Sequence, residues 1–176
     1  MAIKRYLALD SSNDMTEQIP ITTSTGPSDG GKVVATLEST GRFDLTVMPA
    51  EIAPEVVDAV ASEALAAGDF VNLWSDAGVL SARKADASGG VGKKADGYTL
   101  DAVLDEGTAR VYKNGINDQR SGLTVGVEYY LSNTVPGGLL AKGSAPTTAT
   151  HILQRIGIAK SATEIFVEIE NPIIRA

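Results

Sequence analysis

His151 is the only histidine in the chain, and cysteine is absent. One imidazole cannot supply two ligands of a zinc site, and a chain without thiols has no thiolate nucleophile, no zinc-thiolate centre and no disulfide. His151 stands just before Ile152, at the start of a strand pattern, which reads as a solvent-facing strand-end residue. The sharper readings are a general base or a metal ligand shared about a threefold axis. No Gly-x-Ser-x-Gly elbow accompanies the serines. Gly89 to Lys94 reads Gly-Gly-Val-Gly-Lys-Lys and invites a phosphate-loop reading. Its spacing fails, because Ala87 stands where the first glycine belongs, Lys94 stands where Ser or Thr binds magnesium, and no amphipathic helix follows. The run Asp10-Ser-Ser-Asn-Asp14 lacks the alternate acids and the glycine that wrap oxygens around calcium. Nothing selects a catalytic pair among the 22 acids. These residues predict no enzyme, no cofactor and no metal.

Two further groups bear on binding. Arg83, Lys84, Lys93 and Lys94 flank the glycine-rich stretch and read either as a solvated loop or as an electrostatic docking point for an acidic neighbour. Trp74 and the pair Tyr129-Tyr130 are the aromatics with interface chemistry, since adjacent strand positions face opposite ways and one tyrosine of the pair belongs to the core.

The elements that must position these groups follow from periodicity. Val125, Val127, Tyr129 and Leu131 fall at every second position, so Gly122 to Ser132 predicts a half-buried strand, ended by Asn133, Pro136, Gly137 and Gly138. Ile3 to Leu9 alternates likewise, and Ile19 and Ile21 restart an extended piece. Thr22 to Gly31 has no large apolar side chain and predicts a loop. In Gly31 to Pro49 two apolar segments flank a Ser-Thr-Gly turn, as in a hairpin. Within residues 50–69 the Ala-rich run after Pro54 suits a short helical turn, followed by a strand. Phe70 to Trp74 and Val79 to Arg83 form a hairpin about Ser75 to Gly78, and Ala85 to Lys94 predicts a mobile loop. Tyr98 to Val103, Thr108 to Tyr112, a two-residue turn at Asn114-Gly115, Ile152 to Ala159 and Glu164 to Ile169 complete the set. Seven or eight short strands about ten residues apart point to a mainly β fold, an antiparallel β-sandwich or small barrel.

At 176 residues the chain has room for one domain and an ordered arm. Its net charge of -7 repels a phosphate backbone, so nucleic acid is not an expected partner. No apolar stretch approaches the roughly 20 residues of a membrane span, and the apolar run near Met1 is too short for a signal-peptide core. The expectation is a soluble protein made in the cytosol, with no membrane partner. With aromatics at 5% the core is aliphatic and gains from oligomerisation.

Gly122 to Leu139, followed by Ile152-Leu-Gln-Arg-Ile-Gly-Ile-Ala159 and Ser161-Ala-Thr-Glu-Ile-Phe-Val-Glu-Ile169, resembles a module of tailed-bacteriophage head-fibre and capsid-decoration (cement) proteins. Gly31 to Pro49 is similar to a segment of phage fibre proteins in which extended chains associate about a threefold axis. The resemblance implies a homotrimeric virion protein on the outer surface of a capsid, with the major capsid protein and itself as partners. It implies an extended N-terminal arm or stem over residues 1–50 and a β-rich domain over 51–176. Ile3, Tyr6, Leu7 and Leu9 of the arm would contact the capsid. Val33, Leu37, Phe43, Leu45, Met48, Tyr129 and Tyr130 would lie between subunits. The other function it implies is a fibre module that binds a host-surface glycan through loops at one end of the fold.

Overall fold

The computed structural model describes residues 5–9, 14–38, 41, 43–44, 47–48 and 55–176. Ile3 and Leu45, and the side chain of Leu9, lie outside what it describes. The chain divides into two compact units, Met1–Ala53 and Pro54–Ala176.

In the first unit β1 (Tyr6–Leu9) pairs antiparallel with β2 (Met15–Gln18), Tyr6 opposite Gln18 and Leu9 opposite Met15. Strand β2 escaped the sequence reading because Met-Thr-Glu-Gln carries a single apolar side chain and so shows no period. Thr22 to Gly31 is a loop holding one 3₁₀ turn at Pro27–Asp29. Ile21 then meets Val34 in an isolated parallel bridge. The hairpin expected within Gly31 to Pro49 does not form among the described residues. Val33, Val34 and Leu37 do not keep a two-residue period, and the Gly41 N–H closes a turn on the Leu37 carbonyl at 2.7 Å.

In the second unit β3 (Val56–Ala61), β4 (Phe70–Asp76), β5 (Val79–Lys84), β6 (Gly97–Tyr98) and β7 (Thr108–Tyr112) close into a barrel in the order β3-β5-β4-β6-β7. Closure comes from β7 pairing with β3, Val56 opposite Tyr112 through Val60 opposite Thr108. Strands β3 and β5 run parallel, so the barrel is mixed where an antiparallel one was expected. Ala59, Ala61, Ala82 and Ala109 are buried with Val71, Val111 and Leu65, which is the small-residue filling that a five-stranded barrel has room for. This corrects the helical turn expected after Pro54, while a strand, also expected within residues 50–69, is present as β3. The alanines at 59 and 61 are strand residues facing a narrow interior, and packing overrides their helix propensity.

The rest of the unit supplies β8 (Asn114–Asn117), β9 (Glu128–Leu131), β10 (Leu139–Ala141), β11 (Ile152–Leu153), β12 (Arg155–Ala159), β13 (Ile165–Glu168) and β14 (Ile173–Ile174). Five of them form an antiparallel sheet in the order β10-β9-β12-β13-β8, and β11 pairs with β14. Phe70 and Tyr98 of the barrel strands share a buried cluster with Tyr129, Leu131, Ile152, Ile156, Ile165 and Val167, so barrel and sheet are joined by one core.

Several boundaries move for identifiable reasons. Asn114-Gly115 opens β8 and is not a hairpin turn: only Lys113 separates β7 from β8, and Gly115 takes φ +108° as the chain leaves the barrel for the sheet. The strand expected over Gly122 to Ser132 contracts to β9, because Val125-Gly126 form a turn with Gly126 at φ +76°. The strand over Ile152 to Ala159 breaks at Gln154, where the chain passes from the small sheet to the large one. Tyr98 to Val103 keeps only β6 and a bridge from Val103 to Leu65. The Ala85 to Lys94 segment is packed, with Ala85 and Ala87 fully buried, the Ala87 N–H bonded to the Ser132 carbonyl, and a 3₁₀ stretch over Ala87–Lys93 capped by Asp86.

Candidate functional site

The residues singled out for chemistry are dispersed. His151 is half-buried just before β11, its Nδ1 3.1 Å from Asn133 Nδ2. Among the described residues no group of three or more histidines and acids could hold a metal ion. The cations near the glycine-rich stretch are largely matched where they stand. The Arg83 guanidinium lies 4.4 Å from the Trp74 ring centre and donates to Asn72 Oδ1 and the Gly92 carbonyl. Lys94 Nζ is 2.8 Å from Asp96, and Lys84 Nζ is 3.9 Å from Asp69. The docking-point alternative for this loop therefore has little unmatched positive charge to work with, and the guanidinium covers one face of the indole.

A buried polar cluster that the sequence did not flag sits beside the start of β4. Asp69 accepts from the Ala66 N–H at 2.9 Å, and Arg120 and Asn117 both donate to the Gly68 carbonyl at 3.0 Å. Burial pushes the Asp69 carboxyl above its ordinary range against the pull of the Ala66 N–H, Lys84 and Arg120, and burial lowers Arg120. Gly137 is required here, because a Cβ would lie 2.9 Å from Asp69 Cγ. That contact links Pro136-Gly137-Gly138, legible as a turn, to a partner 68 positions away, which no local signal reveals.

Two surfaces stand out as places to hold something. The first is the outer face of the β1–β2 hairpin. Leu7, Met15 and Ile19 are 64%, 65% and 52% exposed, and Arg5 pairs with Glu17 at 2.8 Å beside them. Tyr6 points the other way, half-buried, its hydroxyl accepting from the Val33 N–H at 3.2 Å. Of the residues expected between subunits in this unit, Val33 and Phe43 are exposed, while Leu37 and Met48 are half-buried. Met48 joins Ile21, Val34 and Val47 around a shallow depression of about 380 Å³ rimmed by Asp29 and Lys32. Among the described residues, none before Ala59 is buried.

The second surface is the outward face of the large sheet. Tyr129 turns into the chain's own core, 6% exposed, with its hydroxyl accepting from the Thr124 N–H at 2.9 Å. Its expected place between subunits is therefore corrected, since its ring is already covered. Tyr130 alternates to the outside, opposite Leu140 on β10 and Arg155 on β12. The next row holds Glu128, Ile158, Phe166 and Ile116, each directly opposite its neighbour on the adjoining strand. Arg155 binds Glu128, Glu168 and Glu170 at 3.1, 3.2 and 3.0 Å, and Lys142 bonds the free oxygen of Glu128. The Lys142 hydrogen bond holds Glu128 below the usual carboxylate range and raises Lys142 in turn. Burial works to lower Arg155, but its hydrogen bonds to Glu168 and Glu128 outweigh it and leave it raised.

No protein-family model matches this chain, and no curated protein matches it significantly.

Proposed function

We propose that this chain is a structural virion protein that decorates and stabilises the outer surface of a phage capsid as a homotrimer, with no catalytic role. The observation that carries the reading is the contrast between the two units. The second has a continuous core, whereas in the first no described residue is buried and three large apolar side chains of one hairpin face meet solvent. Apolar surface of that kind gains most by burial against a partner.

The hairpin supports a way of docking. Among the described residues β1 pairs with β2 alone, so each strand has an edge able to extend a sheet of the major capsid protein. Main-chain pairing supplies affinity there, and Leu7, Met15 and Ile19 supply apolar contact. Around a trimer, three such hairpins bind with avidity set by effective concentration. Val33, Leu37, Phe43 and Met48 remain candidates for contact between first units. To test the reading, capsids are sedimented with the full chain and with a variant lacking residues 1–21. The full chain co-sediments and the variant is left in the supernatant; equal binding of the two discards the hairpin as the docking element. Retention on a glycan array, with none on capsids, would favour the fibre-module alternative.

A further inference from the structure

We infer that the outward face of the large sheet, centred on Phe166, is where copies of this chain meet one another; the inference deepens the homotrimer reading and rests on it. Ile158, Phe166 and Ile116 are 39%, 52% and 40% exposed and sit directly opposite one another on β12, β13 and β8. At the roughly 4.8 Å spacing of paired strands they make a continuous apolar stripe about 10 Å long. Tyr130, one of the residues expected between subunits, lies on the same face. An aromatic flanked by aliphatic side chains and rimmed by charge is the anatomy of an interface centre.

Charge selects the occupant. The whole chain carries -7, so its copies repel one another on average. This face is balanced. Its ion-paired groups are the cations Lys142, Arg155 and Lys160 and the carboxylates Glu128, Glu164, Glu168 and Glu170, three against four, a net of -1. All seven are paired within the face, Lys160 with Glu164 at 3.3 Å. An identical face can therefore approach without setting unmatched like charges together, whereas a strongly charged partner finds little net charge to grip. Three such faces turned toward a common axis enclose a triangular prism in which the Phe166 ring of each copy meets the other two. The ring of contacts closes, which prevents open-ended association.

The test is the mass of the full chain by light scattering. The natural sequence gives three times 18.3 kDa, and Phe166→Glu gives a single chain with unchanged circular dichroism, because the side chain lies outside the core. Ile116→Glu is the second variant, expected to raise the dissociation constant of the trimer at least tenfold. Ile174→Glu, an exposed position on β14, keeps the trimer mass. If Phe166→Glu and Ile116→Glu both fold and remain trimeric, this face is wrong while the homotrimer stands. If they remain trimeric but leave the capsid pellet, the face docks on the capsid and the second-copy assignment is overturned. A natural sequence that is monomeric at working concentration overturns both.

Discussion

Gln154 does a large share of the positional work in the second unit with one side chain. Its Oε1 accepts from the Ala95 N–H at 2.8 Å, and its Nε2 donates to the carbonyls of Ala95 and Glu170 at 2.9 and 3.0 Å. Gln154→Leu leaves the two buried backbone groups of Ala95 and the partly buried Glu170 carbonyl without this partner, and the expected loss is about 3 kcal/mol in denaturant unfolding, with the slope unchanged. A loss within about 0.5 kcal/mol would show that water replaces the amide. No sequence pattern announces this residue, because its main partner is 59 positions away. Period two, by contrast, correctly divided Tyr129 from Tyr130. Two titrations belong at this scale. Asp29 is lowered from 3.8 to about 2, first by the hydrogen bond from Lys32 and then by those from Thr25. A depressed acid adds stability that is complete above its unfolded value and lost as pH falls through the folded one, so the Thr25–Lys32 loop loosens between pH 3.8 and about 2. The Asp29 carboxyl carbon in an NMR titration reports it, with a midpoint near 2 expected and one near 3.8 contradicting it. Tyr98 is raised from 10.0 to about 12, mainly by burial, with Tyr112 and Asp118 adding to it. Its contribution is complete below pH 10 and lost as pH climbs toward 12, so it titrates later than an exposed phenol.

At the scale of the element, Gly157 decides whether β12 can lie between its neighbours. The register of β12 on β9 shifts between Arg155 and Gly157, a bulge that turns both Ile156 and Gly157 inward. A Cβ on Gly157 would stand 2.0 Å from the Phe166 carbonyl oxygen. Gly157→Ala is expected to cost roughly 3 kcal/mol, while Gly143→Ala, with open space around it, stays within about 0.5 kcal/mol. Thermal melts of the two variants side by side check the contrast, and equal melts would mean that the sheet yields at the bulge. The cleanly alternating β7 was legible in sequence to the residue, and the hairpin of β4 and β5 to within two residues, from its apolar run and the Ser75–Gly78 turn. Those missed were set by distant partners. Strand β3 owes its strand form to a barrel interior sized for alanine, and β14, only Ile173-Ile174, exists because β11 lies beside it. The hairpin face of Leu7, Met15 and Ile19 was half legible, since β1 alternates and β2 does not.

For the whole molecule, turn spacing foretold a mainly β chain, but not the parallel join of β3 to β5, because parallel and antiparallel strands alternate alike. Every buried core residue in the described chain belongs to the second unit. Pro54–Ala176 alone is therefore expected to unfold cooperatively, with a Tm within a few degrees of the full chain, as calorimetry would register; a broad, non-cooperative melt would mean that its stability depends on residues 1–53. The charge balance of -7 was legible from composition, whereas the near-neutral face around Phe166 needed the strand register to be seen. The proposed seat of this protein, on the outside of a capsid in threes, is put to the test by electron cryomicroscopy of purified capsids saturated with it: added outer-surface density with threefold symmetry, of a volume fitting three chains, is expected, and capsids that stay bare under saturating protein overturn the proposal.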